Sequence, residues 1–322
     1  MTVSDPRPLV AVIGAGQVGA TTAHAIARRN LADVALLDVV EGLAAGKALD
    51  LTEAAPLEGW DVAVHGSTDY ATIRGAALVV ITAGLARKPG MSREDLLAAN
   101  AAIIRPIVGQ VKTHAPQAIL IIVTNPLDVM AQLAYRVSGF PRQRVLGMAG
   151  VLDSARFRAF IAETLRVSPR EVQAMVLGGH GDQMVPLPRY TTVAGVPLPE
   201  LTDAATIERL AKRTRDGGAE IVALLKQGSA FYAPAASVTE MVVAILLDEH
   251  RVLPCACYLD GEYGLKDVFC GVPARLGRTG IEAIIALRLN DEERAALHAS
   301  AATVRAAVTT LEAPATPPLQ PR

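Results

Sequence analysis

Residues 8–38, PLVAVIGAGQVGATTAHAIARRNLADVALLD, leave few folds open to this chain. The apolar run 9–13 reads as a strand buried on both faces of a parallel sheet, and it stops at Gly14. Gly14-Ala15-Gly16-Gln17-Val18-Gly19 then spells G-x-G-x-x-G at the mouth of a helical stretch over 17–30. The spacing has a physical basis. The first glycine permits a tight turn, the second lets backbone approach a pyrophosphate, and the third allows helix and strand to pack closely. The helix N-terminus faces the phosphates with free N–H groups and the positive end of its dipole. A second apolar run, 34–37, ends at Asp38, where a carboxylate can accept both hydroxyls of an adenosine ribose. Strand, turn, helix, strand and acid in this order predict a dinucleotide site, and NAD is favoured over NADP because Val39 brings no cation for a 2′-phosphate.

Composition agrees with an α/β chain. Of 322 residues, 51% are hydrophobic and only 4% aromatic, the balance expected when Ala, Val, Leu and Ile fill helices and parallel strands. Lys and Arg total 31 against 32 for Asp and Glu, so no global field favours nucleic acid or an anionic membrane, and any anion site must be local. No run of 18 apolar residues suggests a membrane span, and the N-terminus lacks the charged head and apolar core of a signal peptide. The three cysteines, Cys255, Cys257 and Cys270, have no histidine at ligand spacing and read as buried thiols in a protein of the reducing cytoplasm.

Further strands are expected over 62–65, 76–82, 118–124 and 145–148, with helices over 42–55 and from near Glu94. Strands alternating with helices imply right-handed crossovers, hence a doubly wound parallel sheet, the Rossmann arrangement, over residues 1–149. From Gly150 the pattern changes to a C-terminal α+β substrate and catalytic domain over 150–312. Its expected elements are an amphipathic helix over 152–165, one or two helices over 202–226 interrupted at Gly217-Gly218, and a helix over 233–247. Antiparallel strands over 253–259 and 268–273 and a last helix over 291–311 follow. Residues 313–322 carry four prolines and read as a disordered tail.

Several stretches carry chemistry. Residues 83–93, AGLARKPGMSR, connect a strand to a helix at the edge where ligands of open α/β sheets bind, and their cations suit a lid as well as a solvated loop. Thr124-Asn125-Pro126 closes the 118–124 strand with an amide and a rigid turn open to a cis peptide bond. Asp153 and Arg156 stand at i and i+3 on one helix face, the spacing of an ordinary surface ion pair. His180, in GGHGD after an apolar strand, is flanked by glycines that leave its ring unshielded.

With these motifs in one order, from about residue 9 to 311, the sequence resembles the lactate and malate dehydrogenase family, and within it the malate dehydrogenases of lactate-dehydrogenase-like type. The resemblance implies His180 as general acid/base, with Asp153 fixing its tautomer and stabilising the imidazolium. It implies Arg156 as the grip on the substrate's C1 carboxylate, and Arg93 as the lid arginine that stabilises charge developing on the carbonyl oxygen. Asn125 is implied as a substrate contact, and Asn100, Val123, Thr124 and Asn125 as cofactor contacts. Arg87 decides the substrate: the family places a cation there for the second carboxylate of malate or oxaloacetate and a neutral glutamine for lactate, so a dicarboxylate is expected. Ser229 and Ala230 would help make room for it. NAD as cofactor, no metal, and a homo-oligomer, tetramer rather than dimer, complete what the resemblance implies. A dehydrogenase for lactate or another 2-hydroxy acid is the near rival and turns on Arg87. An NAD-requiring glycoside hydrolase would need Cys and His ligands near His180, whereas all three cysteines follow residue 250. A silent nucleotide binder would have lost one of Arg93, Asp153, Arg156 or His180, and all are present.

Overall fold

The chain begins with β1 (Leu9–Ile13), α1 (Gln17–Ala27), β2 (Asp33–Leu37), α2 (Leu43–Glu58), β3 (Val64–Ser67) and β4 (Leu78–Ile81). It continues with α3 (Arg93–His114), β5 (Ile119–Ile122), α4 (Leu127–Ser138) and β6 (Val145–Gly147). In this computed structural model, which describes residues 7–86 and 90–312, the six strands lie parallel in the order β3-β2-β1-β4-β5-β6. β4 and β5 are buried at every residue, as strands covered on both faces must be. Strand order reverses between β1 and β4, and the carboxyl ends of the strands there open the crevice that ligands of such sheets occupy.

After α5 (Gly150–Leu165) come five two-residue strands, β7 (Val172–Gln173), β8 (Val176–Leu177), β9 (Val185–Pro186), β10 (Thr192–Val193) and β11 (Val196–Pro197). Then follow the single turn α6 (Leu198–Leu201), α7 (Ala204–Leu225), α8 (Tyr232–Leu246), β12 (Arg251–Asp260), β13 (Lys266–Gly277), β14 (Gly280–Ile284) and α9 (Asp291–Glu312). β12 joins β6 antiparallel, with Ala256 opposite Gly147, so β12, β13 and β14 extend the parallel sheet to nine strands. One apolar core runs through both halves of the sequence, from Val10 to Val308. A second, around Phe157, Ile161, Val172, Met184 and Leu210, lies under α5 and α7.

The expected break in the helix over 202–226 is absent: α7 runs unbroken through Gly217-Gly218. Glycine disfavours a helix interior by about 1 kcal/mol relative to alanine, which is why the pair reads as a break. Close packing overrides that preference. A Cβ on Gly217 would lie 3.2 Å from Arg156 Cδ, so the small residues let α7 approach a long side chain on α5. β3 lies two residues later than expected, α2 continues to Glu58 through Pro56, β8 is the short apolar strand expected before His180, and β7, β9 to β11 and β14 have no counterpart in the sequence reading. The 313–322 tail and Arg87 lie outside the described residues.

Candidate active site

Gly14 leaves β1 with φ +105°, and a Cβ there would lie 2.6 Å from Ala83 N. A Cβ on Gly19 would lie 1.8 Å from Gly14 O, so the turn and α1 close only without side chains. Gly16 is the opposite case. A Cβ there would meet nothing within 4 Å, and Gly16 caps α1 without a side-chain hydrogen bond, leaving first-turn N–H groups to an outside acceptor. Asp38 Oδ2 accepts from Ala15 N at 2.7 Å and Oδ1 from Val40 N at 3.0 Å, beside the exposed Val39. Two further residues, not foreseen from sequence, hold the turn. Lys47 Nζ on α2 donates to Ala15 O at 2.7 Å, and Thr82 Oγ1 donates to Gly14 O at 2.9 Å. Ala15, Gln17 and Val18 lie within this frame. Open backbone donors at a helix N-terminus, an acid at the end of β2 and an apolar flank fit the pyrophosphate, ribose and adenine of NAD.

At the neighbouring strand ends, Thr124 Oγ1 donates to Ala83 O at 2.7 Å, joining the exits of β4 and β5. The buried Asn100 on α3 donates through Nδ2 to Leu85 O at 3.1 Å and Asn125 O at 2.7 Å, and accepts from Leu85 N at 2.7 Å. Its amide thus shapes the edge through the backbone it ties. Val123 is buried, Asn125 is exposed, and the Asn125–Pro126 peptide is cis. Arg93 is the first residue of α3, whose start is set by a reciprocal Ser92–Asp95 capping box. Its guanidinium is exposed and pairs with Asp182 at 2.5 Å, an acid two residues beyond His180.

His180 lies beyond β8, in a loop held from several sides. Gly178 and Gly271 of β13 exchange N–H···O bonds of 2.9 and 3.0 Å. Ser300 Oγ on α9 accepts from Gly179 N at 2.8 Å, and Asp128 Oδ2 on α4 accepts from His180 N at 2.7 Å. From α5, Asp153 Oδ2 meets His180 Nδ1 at 2.9 Å, while its Oδ1 lies 3.4 Å from Arg156. Side-chain exposures of 2% for Asp153, 11% for His180 and 12% for Arg156 place the three inside the molecule, against the alternative of a surface ion pair that the i, i+3 spacing left open. Arg156 Nε is buried without a partner.

Burial opposes the His180 imidazolium, but the charge and hydrogen bond of Asp153, helped by Asp128, outweigh burial and the repulsion of Arg156; the pKa ends above the usual 6.5. Burial likewise draws the Arg156 guanidinium down, with Asp153 countering it. A cation so enclosed, with one distant carboxylate oxygen and an idle Nε–H, is suited to a carboxylate ligand. Asp128 and Ser300 escaped the sequence reading. So did the nearness of a cysteine: Cys270 adjoins Gly271 at the base of the His180 loop, buried like Cys255 and Cys257, and burial pushes its thiol pKa upward.

Two family models match the chain: lactate/malate dehydrogenase, NAD binding domain, over residues 9–147, and lactate/malate dehydrogenase, alpha/beta C-terminal domain, over 150–314. A malate dehydrogenase of Thermomicrobium roseum is 58% identical over 299 residues, covering 93% of this chain and 96% of the relative. The malate dehydrogenase structure from Salinibacter ruber superposes with a TM-score of 0.91 at 50% identity, covering 94% of this chain and 97% of that one. The lactate dehydrogenase of Cryptosporidium parvum, in complex with lactic acid and nicotinamide adenine dinucleotide, gives a TM-score of 0.93 at 40% identity, covering 97% and 100%.

Proposed function

The chain belongs to the lactate/malate dehydrogenase family, and from that premise we propose malate and oxaloacetate as its substrate pair, interconverted with NAD and NADH. The observation that carries the chemistry is the buried Asp153–His180 pair beside the half-satisfied Arg156. Nδ1 of His180 faces Asp153, so Nε2 is the atom that takes the hydroxyl proton of malate. Gly16 and Asp38 would hold NAD, which when bound would supply the hydride acceptor for the C2–H bond. Arg156 binds the C1 carboxylate and fixes the orientation of C2. Arg93, released from its exposed pair with Asp182, meets the carbonyl oxygen, and Asn125 contacts the substrate from the end of β5.

On this reading residues 1–149 bind the dinucleotide and 150–312 supply the acid/base and carboxylate groups. The choice of a dicarboxylate rests on Arg87 and on 52 to 58% identity to malate dehydrogenases. No helix among the described residues is long and apolar enough to cross a membrane, and free cysteines suit the reducing cytoplasm. Assembly as a homo-oligomer is consistent with exposed Leu49 and Leu57 on α2 and Val222, Leu224 and Leu225 on α7, and the choice of a tetramer over a dimer rests on the family resemblance.

The test is NADH oxidation with oxaloacetate and with pyruvate at equal concentration. Oxaloacetate is expected to be preferred, and Arg87→Gln to lower that activity by about 10²-fold or more while raising pyruvate turnover. Pyruvate preference in the wild-type enzyme, or unchanged oxaloacetate kinetics in the variant, refutes the dicarboxylate reading.

A further inference from the structure

We propose that Asp128 is a positioning residue for His180, gripping the backbone amide of the acid/base with one carboxylate oxygen while its charge favours the imidazolium. The inference rests on His180 being the proton-transfer group. Asp128 stands in the first turn of α4, is 3% exposed, and reaches across 52 positions of sequence to His180 N at 2.7 Å. Its other oxygen, Oδ1, is buried without a hydrogen-bond partner. Capping a helix would not require that: a first-turn acid can face solvent and still complement the dipole. Here the carboxylate points inward at the loop that carries the catalytic ring.

The neighbours define its electrostatic part. Facing Asp128 are His180 and, from α5, Asp153; Cys270 on β13 is a neutral thiol. Facing His180 are Asp153, Arg156 and Asp128. One arginine is thus set against two acids around the imidazole, and loss of either acid tips the balance toward neutral histidine. Burial, aided by the charge of Asp153, outweighs the amide and charge of His180 and sets the Asp128 carboxyl at about 6, so it carries charge above that pH. Ser300, holding the adjacent Gly179 N–H at 2.8 Å from α9, is the neutral half of the same grip.

Asp128→Asn separates the charge from the grip, since it keeps size and an acceptor. Measured across pH, its oxaloacetate reduction should lose activity at a pH lower by about half a unit to one unit, because the imidazolium has lost a stabilising charge. Asp128→Ala, which also frees the amide, should lower kcat about 10- to 100-fold with little change in KM for NADH. Ser300→Ala should lower kcat by a smaller factor without moving the pH limb. A limb at its wild-type pH in a folded Asp128→Asn enzyme overturns the proposal. His180→Asn is measured alongside: turnover surviving in that variant refutes the acid/base reading instead.

Discussion

The dinucleotide turn and the histidine loop perform their tasks by opposite means. The turn is local: Gly14, Gly16, Gly19 and Asp38 fall within 25 residues, and the working surface is backbone facing open space. The loop is long-range: α4, α5, β13 and α9 converge on three consecutive residues, Gly178 to His180, and the working surface is a buried set of charges. A phosphate needs only donors and dipole, which a helix start provides by itself. A proton-transfer group needs a tuned pKa, and in a protein that takes charges brought from distant parts of the chain.

Substitutions can break that contrast, beginning with the largest effect. Asp153→Asn should lower kcat for oxaloacetate reduction at neutral pH by about 10²- to 10⁴-fold. The sign on pH is fixed by the raised His180 pKa: reduction needs imidazolium, so it holds below that pKa and falls as pH rises through it, and malate oxidation behaves inversely. Without Asp153 both limbs should move to lower pH, while titration of NADH binding stays near wild type. Asp38→Ala should do the reverse, weakening NADH binding about 10-fold through loss of two backbone bonds and leaving the pH limbs in place. A moved pH limb in Asp38→Ala would show that the two regions are electrostatically one. The smallest effect, and the sharpest, is expected of Gly217→Ala. A methyl 3.2 Å from Arg156 Cδ should raise KM for oxaloacetate by roughly three- to tenfold, with melting temperature unchanged or higher because alanine favours the helix. An unchanged KM would mean that α7 does not set the position of Arg156.

The same contrast explains what could be read from sequence. The turn was legible because its physics is contiguous: strand, glycines, helix and acid follow one another, and β1, α1 and β2 begin within a residue of where the pattern places them, although α1 stops at Ala27 rather than Asn30. His180, Asp153 and Arg156 were legible as residue types in distinctive surroundings, although their burial was not: the i, i+3 spacing alone fits a surface pair equally well, and the pair lies inside. Asp128 and Ser300 lie 52 and 121 positions from the amides they hold, with no spacing to mark them. Lys47 and Thr82 were lost for the same reason, as a helical lysine and a strand-end threonine with ordinary alternatives. Gly217-Gly218 misled because propensity is local, whereas the arginine that needs the space is 61 positions earlier in sequence.

The junction of β6 with β12 has one more consequence. Gly14 leaves the same sheet to which the base of the His180 loop is stitched at Gly271, so the spacing between the dinucleotide turn and the histidine loop is gauged by strand separation. That gauge is laid down when the chain folds. Substitutions between β4 and α3, the stretch to which the proposed choice of substrate belongs, would leave that gauge unchanged.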